Sequence, residues 1–310
     1  MKRIGFLGPR GTFTEAALRS MEIAQAAELV EFKTVGLAFN AVRNGDVDGA
    51  LVPFENSVEG SVSATLDELS YGEPLVIVDE LAWRVEFALM ARPGTKLDDI
   101  LMYTTHPHAY AQCRDWLANA LPNAHYAAAL STAAGAEDVA DPASRFQAAI
   151  APRLAAEHYG LDVLADDIGD NEGAHTRFVL ISRTQKPAAP TGADCTTLTI
   201  FIRQDHAGAL LEILTEFAVR GINLTRIESR PTKKQLGDYF FSLDIQGHIN
   251  EARVGEALEG LQRICLEVRY LGSYPRHDGR ANLAVATTSD EAFAKSGAWL
   301  RNLRETGRSI

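Results

Sequence analysis

The run Lys186-Pro187-Ala188-Ala189-Pro190-Thr191-Gly192 constrains the fold more than any other stretch of the chain. Its prolines and glycine can continue neither a helix nor a strand ladder, so it reads as a linker between separately packed regions, with a boundary at residues 186–194. Downstream, residues 196–203 alternate as a strand and 207–220 read as a helix. Residues 222–229 and 239–245 read as strands, 251–264 as a helix and 265–270 as a last strand. This βαββαβ order within about 80 residues is ferredoxin-like, with two helices on one face of a four-stranded sheet. Its other face is expected to lie open to a partner. The tail, 274–310, carries an amphipathic piece at 293–303 with no assigned role.

Upstream the pattern is layered α/β. Residues 2–7 read as a strand ending in the turn Gly8-Pro9-Arg10-Gly11. Thr12 or Thr14 is expected to cap a helix running through alanines to about Leu29, followed by a short strand at 32–35. A helix at 36–44 and a compact strand at 49–52 follow, then strands at 75–81 and 83–90. Residues 102–104 read as a strand, 108–120 as a helix, 133–139 and 148–159 as helices by propensity, and 179–181 as a strand.

At 310 residues with 46% hydrophobic content, the chain has enough apolar material for more than one core. Its formal net charge of -11 argues against a general nucleic-acid or membrane-surface role. Small anions remain possible ligands, because a few convergent cationic groups reverse the field locally. The apolar run after Met-Lys-Arg is too short for a signal or membrane segment, which makes cytoplasmic residence the expectation. Cys113, Cys195 and Cys265 are too scattered for a zinc or redox pair and read as buried or half-buried thiols. No cofactor or metal is expected.

The chemistry concentrates at junctions. Gly8 to Phe13 ends a strand with glycines, a hydroxyl and unpaired helix N–H groups, a geometry that receives an anion or merely turns the chain. Glu55, Asn56, Ser57 and Glu59 follow a buried strand, where α/β sheets bind ligands, although Asn56 and Ser57 could simply cap the next helix. Thr105 and the pair Ser131-Thr132 stand at similar junctions, and His106 and His108 read as solvated or locally bonded. Thr176 and Arg177 join a hydroxyl to a carboxylate-matching fork, while strand alternation sets Phe178 in a core and Arg177 on the opposite side.

GPRGTFTEAAL at 8–18, VPFENSVEGSV at 52–62, THPHAYAQC at 105–113, STAAGA at 131–136 and TRF at 176–178 together resemble prephenate dehydratases. GALL at 208–211 and ESRP at 228–231 are similar to the phenylalanine-binding signatures of that family's ACT regulatory domain. The likeness spans residues 2–275. It implies a catalytic region at 1–185 built as two periplasmic-binding-protein-like lobes, one at about 1–82 and 162–185, the other at about 83–161. It implies an ACT domain at 195–273. The implied reaction turns prephenate into phenylpyruvate, CO2 and water without a cofactor, under feedback by L-phenylalanine, in a dimer or tetramer joined through ACT domains.

On that resemblance Thr176 assists the leaving hydroxyl and Arg177 clamps a carboxylate. Thr12, Glu55, Asn56, Ser57, Thr105, Ser131, Thr132 and Phe178 are substrate-binding candidates, Glu55 in a structural or hydrogen-bonding role because a glutamate beside a dianion is unfavourable. Effector candidates are Asp205, His206, Ala207, Gly208, Ala209 and Leu210 at a turn, Asn223 and Leu224, and Glu228, Ser229 and Arg230. The chain departs from the family in carrying His108 where glutamine is frequent and Ala174 where asparagine is frequent. Related possibilities are an enzyme of arogenate and a non-catalytic amino-acid sensor.

Overall fold

A computed structural model of the chain describes residues 1–233, 238–283 and 285–308. It forms two compact units: Met1–Glu68 with Leu81–Arg183, and Leu69–Glu80 with Thr184–Ile310.

The first lobe of the first unit begins with β1 (Arg3–Leu7), α1 (Phe13–Ser20), β2 (Glu28–Phe32), α2 (Val35–Asn44) and β3 (Gly49–Asn56). β4 (Gly60–Ser61) follows, then α3 (Ser63–Tyr71) and β5 (Leu75–Arg84), of which residues 69–80 belong to the second unit. β1 pairs in parallel with β2 and β3. The alanine-rich helix is shorter than expected. Met21 adopts extended geometry and caps α1, and the alternating Glu28-Leu29-Val30-Glu31-Phe32 serves as strand partner to β1, displacing the strand expected at 32–35. Register with a neighbouring strand outweighs the helix propensity of residues 24–29. The expected strands at 75–81 and 83–90 are recut, with one continuous strand to Arg84 and the break at 85–87.

The second lobe holds β6 (Ala88–Ala91), β7 (Met102–Thr105), α4 (Pro107–Gln112), α5 (Arg114–Ala120), β8 (His125–Ala128), α6 (Thr132–Ala140), β9 (Ala148–Ala151), α7 (Arg153–Tyr159) and β10 (Asp162–Ala165). Its sheet runs β10-β6-β9-β7-β8. β9 overturns the helix expected at 148–159: Ala-Ala-Ile-Ala is wholly buried between β6 and β7, and the true helix starts only after Pro152. Because β10 pairs with β6, the return crossing falls at residues 166–174 rather than at 162. β11 (His175–Arg183) then lies antiparallel on β3.

The second unit contains β12 (Asp194–Phe201), α8 (Ala209–Ala218), β13 (Leu224–Pro231), β14 (Tyr239–Gln246), α9 (Ala252–Ile264) and β15 (Glu267–Pro275), followed by α10 (Asp290–Thr306). The sheet order β13-β14-β12-β15 is the ferredoxin-like arrangement. Leu198, Ile200, Leu243 and Ile245 face Ile213, Phe217, Val254 and Leu261 of the two helices in one core. The helix-free face is not bare. Tyr71 packs edge-on against Phe201 and Phe240, and Ser70 Oγ lies 3.2 Å from Thr199 Oγ1, so the chain covers part of that face itself. No helix among the described residues is long and apolar enough to cross a membrane.

Candidate active site

Three strands of the first unit lead into turns whose next residue caps a helix. After β1, Thr12 caps α1, its Oγ1 accepting from Glu15 N and donating to Leu7 O at 2.9 Å. After β7, the His106 ring caps α4 by accepting from His108 N. After β8, Ser131 Oγ accepts from Ala134 N at 3.0 Å and caps α6. Thr12, His106, Ser131 and Thr132 all line one cleft of about 600 Å³ within this unit. The starts of these helices, with the positive ends of their dipoles, therefore border it, which favours an anionic ligand, while Glu59 in the same lining adds a negative charge.

The ends of β3 and β11 supply the opposite wall. Asn56 Nδ2 donates to Thr176 Oγ1 at 2.8 Å, while Asn56 Oδ1 accepts from the N–H groups of Val58 and Glu59. Asn56 thus holds the 57–59 turn instead of capping a helix. With a lone pair of Thr176 engaged, the hydroxyl hydrogen is left to point elsewhere, and Thr176 lines the cleft although it is only 8% exposed. Phe178 and Pro53 form the apolar floor beside it. Across the cleft, Phe13 meets Phe87 edge to face at 5.3 Å.

Four expected site residues lie off the cleft surface. Arg177 alternates to the other side of β11, where its guanidinium carbon lies over the Phe54 ring, 4.9 Å from the centroid, and its Nη1 lies 3.9 Å from Glu55. The direct carboxylate clamp is therefore not where the sequence suggested, and Glu55 shares that outer face. Ser57 Oγ accepts from His175 N, stitching the two strand ends together. Thr105 is fully buried and donates to Ile150 O at 2.6 Å, which spends its hydroxyl on the sheet.

Sequence reasoning reads His106 and His108 as solvated or locally bonded and does not single out Gln112, yet all three line the cleft, His106 while making the local bond to His108 N. The rings of His106 and His108 meet edge to face at 4.9 Å. Burial, then the neighbouring His108, push the His106 pKa below its ordinary value, against a smaller opposing pull from Glu59. Gln112 Oε1 is buried without a hydrogen-bond partner. The signal available was position: both histidines follow the C-terminal end of a strand, the edge at which α/β sheets receive ligands. All three cysteines are buried, and burial raises the thiol pKa of Cys113 to about 12 and of Cys265 to about 11, so neither is an activated nucleophile.

In the second unit, Asp205, His206, Gly208, Ala209 and Leu210 line a hollow of about 390 Å³ that Phe241 also borders. Gly208 starts α8 with φ +97, a conformation natural to glycine. The exposed His206 ring is held by Gln204 O and Glu212, which raise its pKa. Ala207 belongs to the same turn but is not among the residues bordering the hollow. Glu228 and Arg230 pair with each other on β13 at register positions opposite Ser242 and Phe240, whereas Ser229 stands opposite Phe241 on the helix side. Leu224 pairs with Ile245, and Asn223 O accepts from Gln246 N. Glu228 and Arg230 thus lie on the face of the sheet opposite to Phe241, which borders the hollow at the 205–210 turn.

The prephenate dehydratase family model matches residues 4–186, and the ACT domain model matches residues 196–263. A prephenate dehydratase of Amycolatopsis methanolica is 45% identical over 301 residues, covering 97% of each chain. The structure of a prephenate dehydratase from Arthrobacter aurescens in complex with L-Phe superposes with a TM-score of 0.94 at 48% identity, over 98% of this chain and 99% of that one. A structure described as a novel type of quorum-quenching acylase also superposes, with a TM-score of 0.79 at 30% identity over 88% of this chain and 98% of that one. Cleft, lobes and appended βαββαβ unit agree with these matches, and the chain belongs to the prephenate dehydratase family.

Proposed function

We propose that the cleft carries out the decarboxylative dehydration of prephenate. The bond from the ring to its carboxylate breaks and releases CO2, the electron pair enters the ring, and the ring C–O bond breaks. The departing hydroxide takes a proton and leaves as water, and the ring becomes aromatic. The driving force lies in the substrate, so the protein's task is orientation and help for one leaving group.

The hydrogen bond from Asn56 to Thr176 carries this reading. By donating to Oγ1, Asn56 polarises a hydroxyl that is too weak an acid alone and turns its hydrogen toward the ligand space. The capped starts of α1 and α6, with the imidazoles of His106 and His108, receive the carboxylates, and Phe178 with Pro53 supports the ring. Arg177 acts from behind, fixing Phe54 and Glu55 beneath the reacting wall. Following the enol absorbance of phenylpyruvate during prephenate turnover tests the assignment. Comparison of kcat/KM on arogenate separates the two substrates, and absence of product would leave a sensor or the acylase activity described for the structural relative.

The second unit is proposed to bind L-phenylalanine as feedback effector, as the bound ligand of the Arthrobacter aurescens relative supports. The turn at 205–210 and the side chains of Glu228 and Arg230 lie on different faces of one chain's sheet, so the full site is completed by pairing two copies through this domain. The assembly is a dimer or a dimer of dimers, and the enzyme resides in the cytoplasm. Titration with phenylalanine, followed by activity and by sedimentation, tests effector and assembly together; no change in either observable would refute both.

A further inference from the structure

One buried carboxylate of the first unit has no part in the chemistry above. Glu15, with a side chain only 2% exposed, sits in the first turn of α1. Its Oε2 accepts from Gly11 N at 2.6 Å, a reach back beyond the Thr12 cap that resembles a capping box. Its Oε1 accepts from Arg19 Nε and Nη2 at 3.0 and 2.7 Å, and lies 3.1 Å from His158 Nε2. Arg19 belongs to the same helix, but His158 belongs to α7 of the other lobe. Two further observations mark this point as the place where the lobes meet closely. Tyr159 Oη donates to Arg10 O, and a Cβ on Gly11 would come within 2.8 Å of Ala155 Cα.

A helix cap alone needs no burial, since a solvent-facing glutamate serves equally well and avoids desolvation. What burial adds here is a fixed distance between the turn and α7. The same turn provides Gly8, Thr12 and Phe13 to the cleft wall. We infer that Glu15 is a positioning residue: with His158 it latches the Gly11–Thr12 turn of the first lobe to α7 of the second and so sets the spacing of the cleft wall that receives the substrate carboxylate. This rests on the cleft being the site of prephenate dehydration.

The test uses the full-length enzyme and three variants. His158→Phe keeps the ring volume and removes the hydrogen bond, His158→Gln keeps a nitrogen where Nε2 stands, and Glu15→Gln removes the charge. His158 is 21% exposed, so its variants are expected to fold. His158→Phe and Glu15→Gln should each raise KM for prephenate by about threefold or more with kcat within about twofold, His158→Gln should restore KM, and the double variant should be no worse than Glu15→Gln. Hydrogen exchange at the Gly11 amide should quicken in His158→Phe, a readout independent of any substrate. Unchanged KM and unchanged Gly11 exchange in folded His158→Phe would overturn the latch. Wild-type enzyme that leaves prephenate unconsumed, with the exchange difference intact, would instead overturn the proposed reaction.

Discussion

Replacing Thr176 with valine keeps the shape of the side chain and removes only its hydroxyl. A positioned proton donor contributes about 10²–10⁴ in rate, or roughly 3–5 kcal/mol of barrier. The stability cost is smaller: Asn56 Nδ2 loses its acceptor, but Thr176 faces a cleft that water enters, so the loss falls near the low end of about 1–3 kcal/mol for an unmet donor. Thr176→Val should therefore stay folded, with kcat down at least 100-fold and KM nearly unchanged, while Thr176→Ser should keep kcat within about tenfold. Asn56→Asp makes the test more specific. It leaves an acceptor where a donor stood, so the Thr176 hydroxyl turns toward the carboxylate and away from the leaving oxygen. Its kcat should fall toward that of Thr176→Val, and combining the two should add almost nothing. Initial rates from phenylpyruvate enol absorbance give all four values. A valine variant retaining more than about a tenth of kcat, or losses that multiply in the double variant, would refute the polarised-donor account.

Arg177→Lys should lower thermal stability by about 1 kcal/mol, because an ammonium does not reproduce the guanidinium contact over the Phe54 ring; kcat/KM should fall less than in Thr176→Val, as differential scanning and initial rates will show. Gly208→Ala meets open space but strains a backbone at φ +97, so phenylalanine inhibition should shift to higher effector concentration while the uninhibited rate is unchanged; an unaltered inhibition curve would place the effector elsewhere. Burial would raise the pKa of Glu15, but the Gly11 N–H and the facing Arg19 and His158 outweigh it and hold it below 4.5. A depressed carboxylate stabilises the fold above its unfolded pKa and loses that contribution as pH falls through the folded value. The melting-temperature gap between wild type and Glu15→Gln should thus be full near neutral pH and narrow on acidification below the ordinary carboxylate range; a gap independent of pH would deny the ionised carboxylate its role.

The βαββαβ unit was legible almost element by element, because its strands are long and alternate and its helices carry an apolar stripe. The first unit was legible at its polar junctions and less so between them. β9 is three alanines and an isoleucine, and its burial between β6 and β7 makes it a strand against the helix propensity of the alanines. The same limit governs the site. Thr12, Asn56, Ser131 and Thr132 line the cleft from strand ends and helix starts, which are local features, and Thr176 and Phe178 line it from β11. The contact of Asn56 with Thr176 joins residues far apart in the chain and follows from the pairing of β3 with β11, which no local pattern reports. Arg177 was placed correctly on the side opposite Phe178, but the identity of that side, against Phe54 rather than in the cleft, depended on tertiary packing.

Among the described residues that line the cleft there is no lysine or arginine, and Glu59 adds a carboxylate, which at first sight is unsuited to a dianion. The two carboxylates of prephenate, however, have opposite needs. The side-chain carboxylate keeps its charge throughout, whereas the ring carboxylate surrenders its electron pair and departs as neutral CO2. A guanidinium fork on the latter would stabilise the ground state more than the transition state and slow the reaction. In the proposed site, helix starts, each equivalent to roughly half a charge, would attract the substrate without fixing that charge in place. Positive charge introduced beside the ring carboxylate should then tighten binding and lower kcat together. In Thr132→Lys, a lower KM with undiminished kcat would show that ground-state stabilisation of this group carries no penalty.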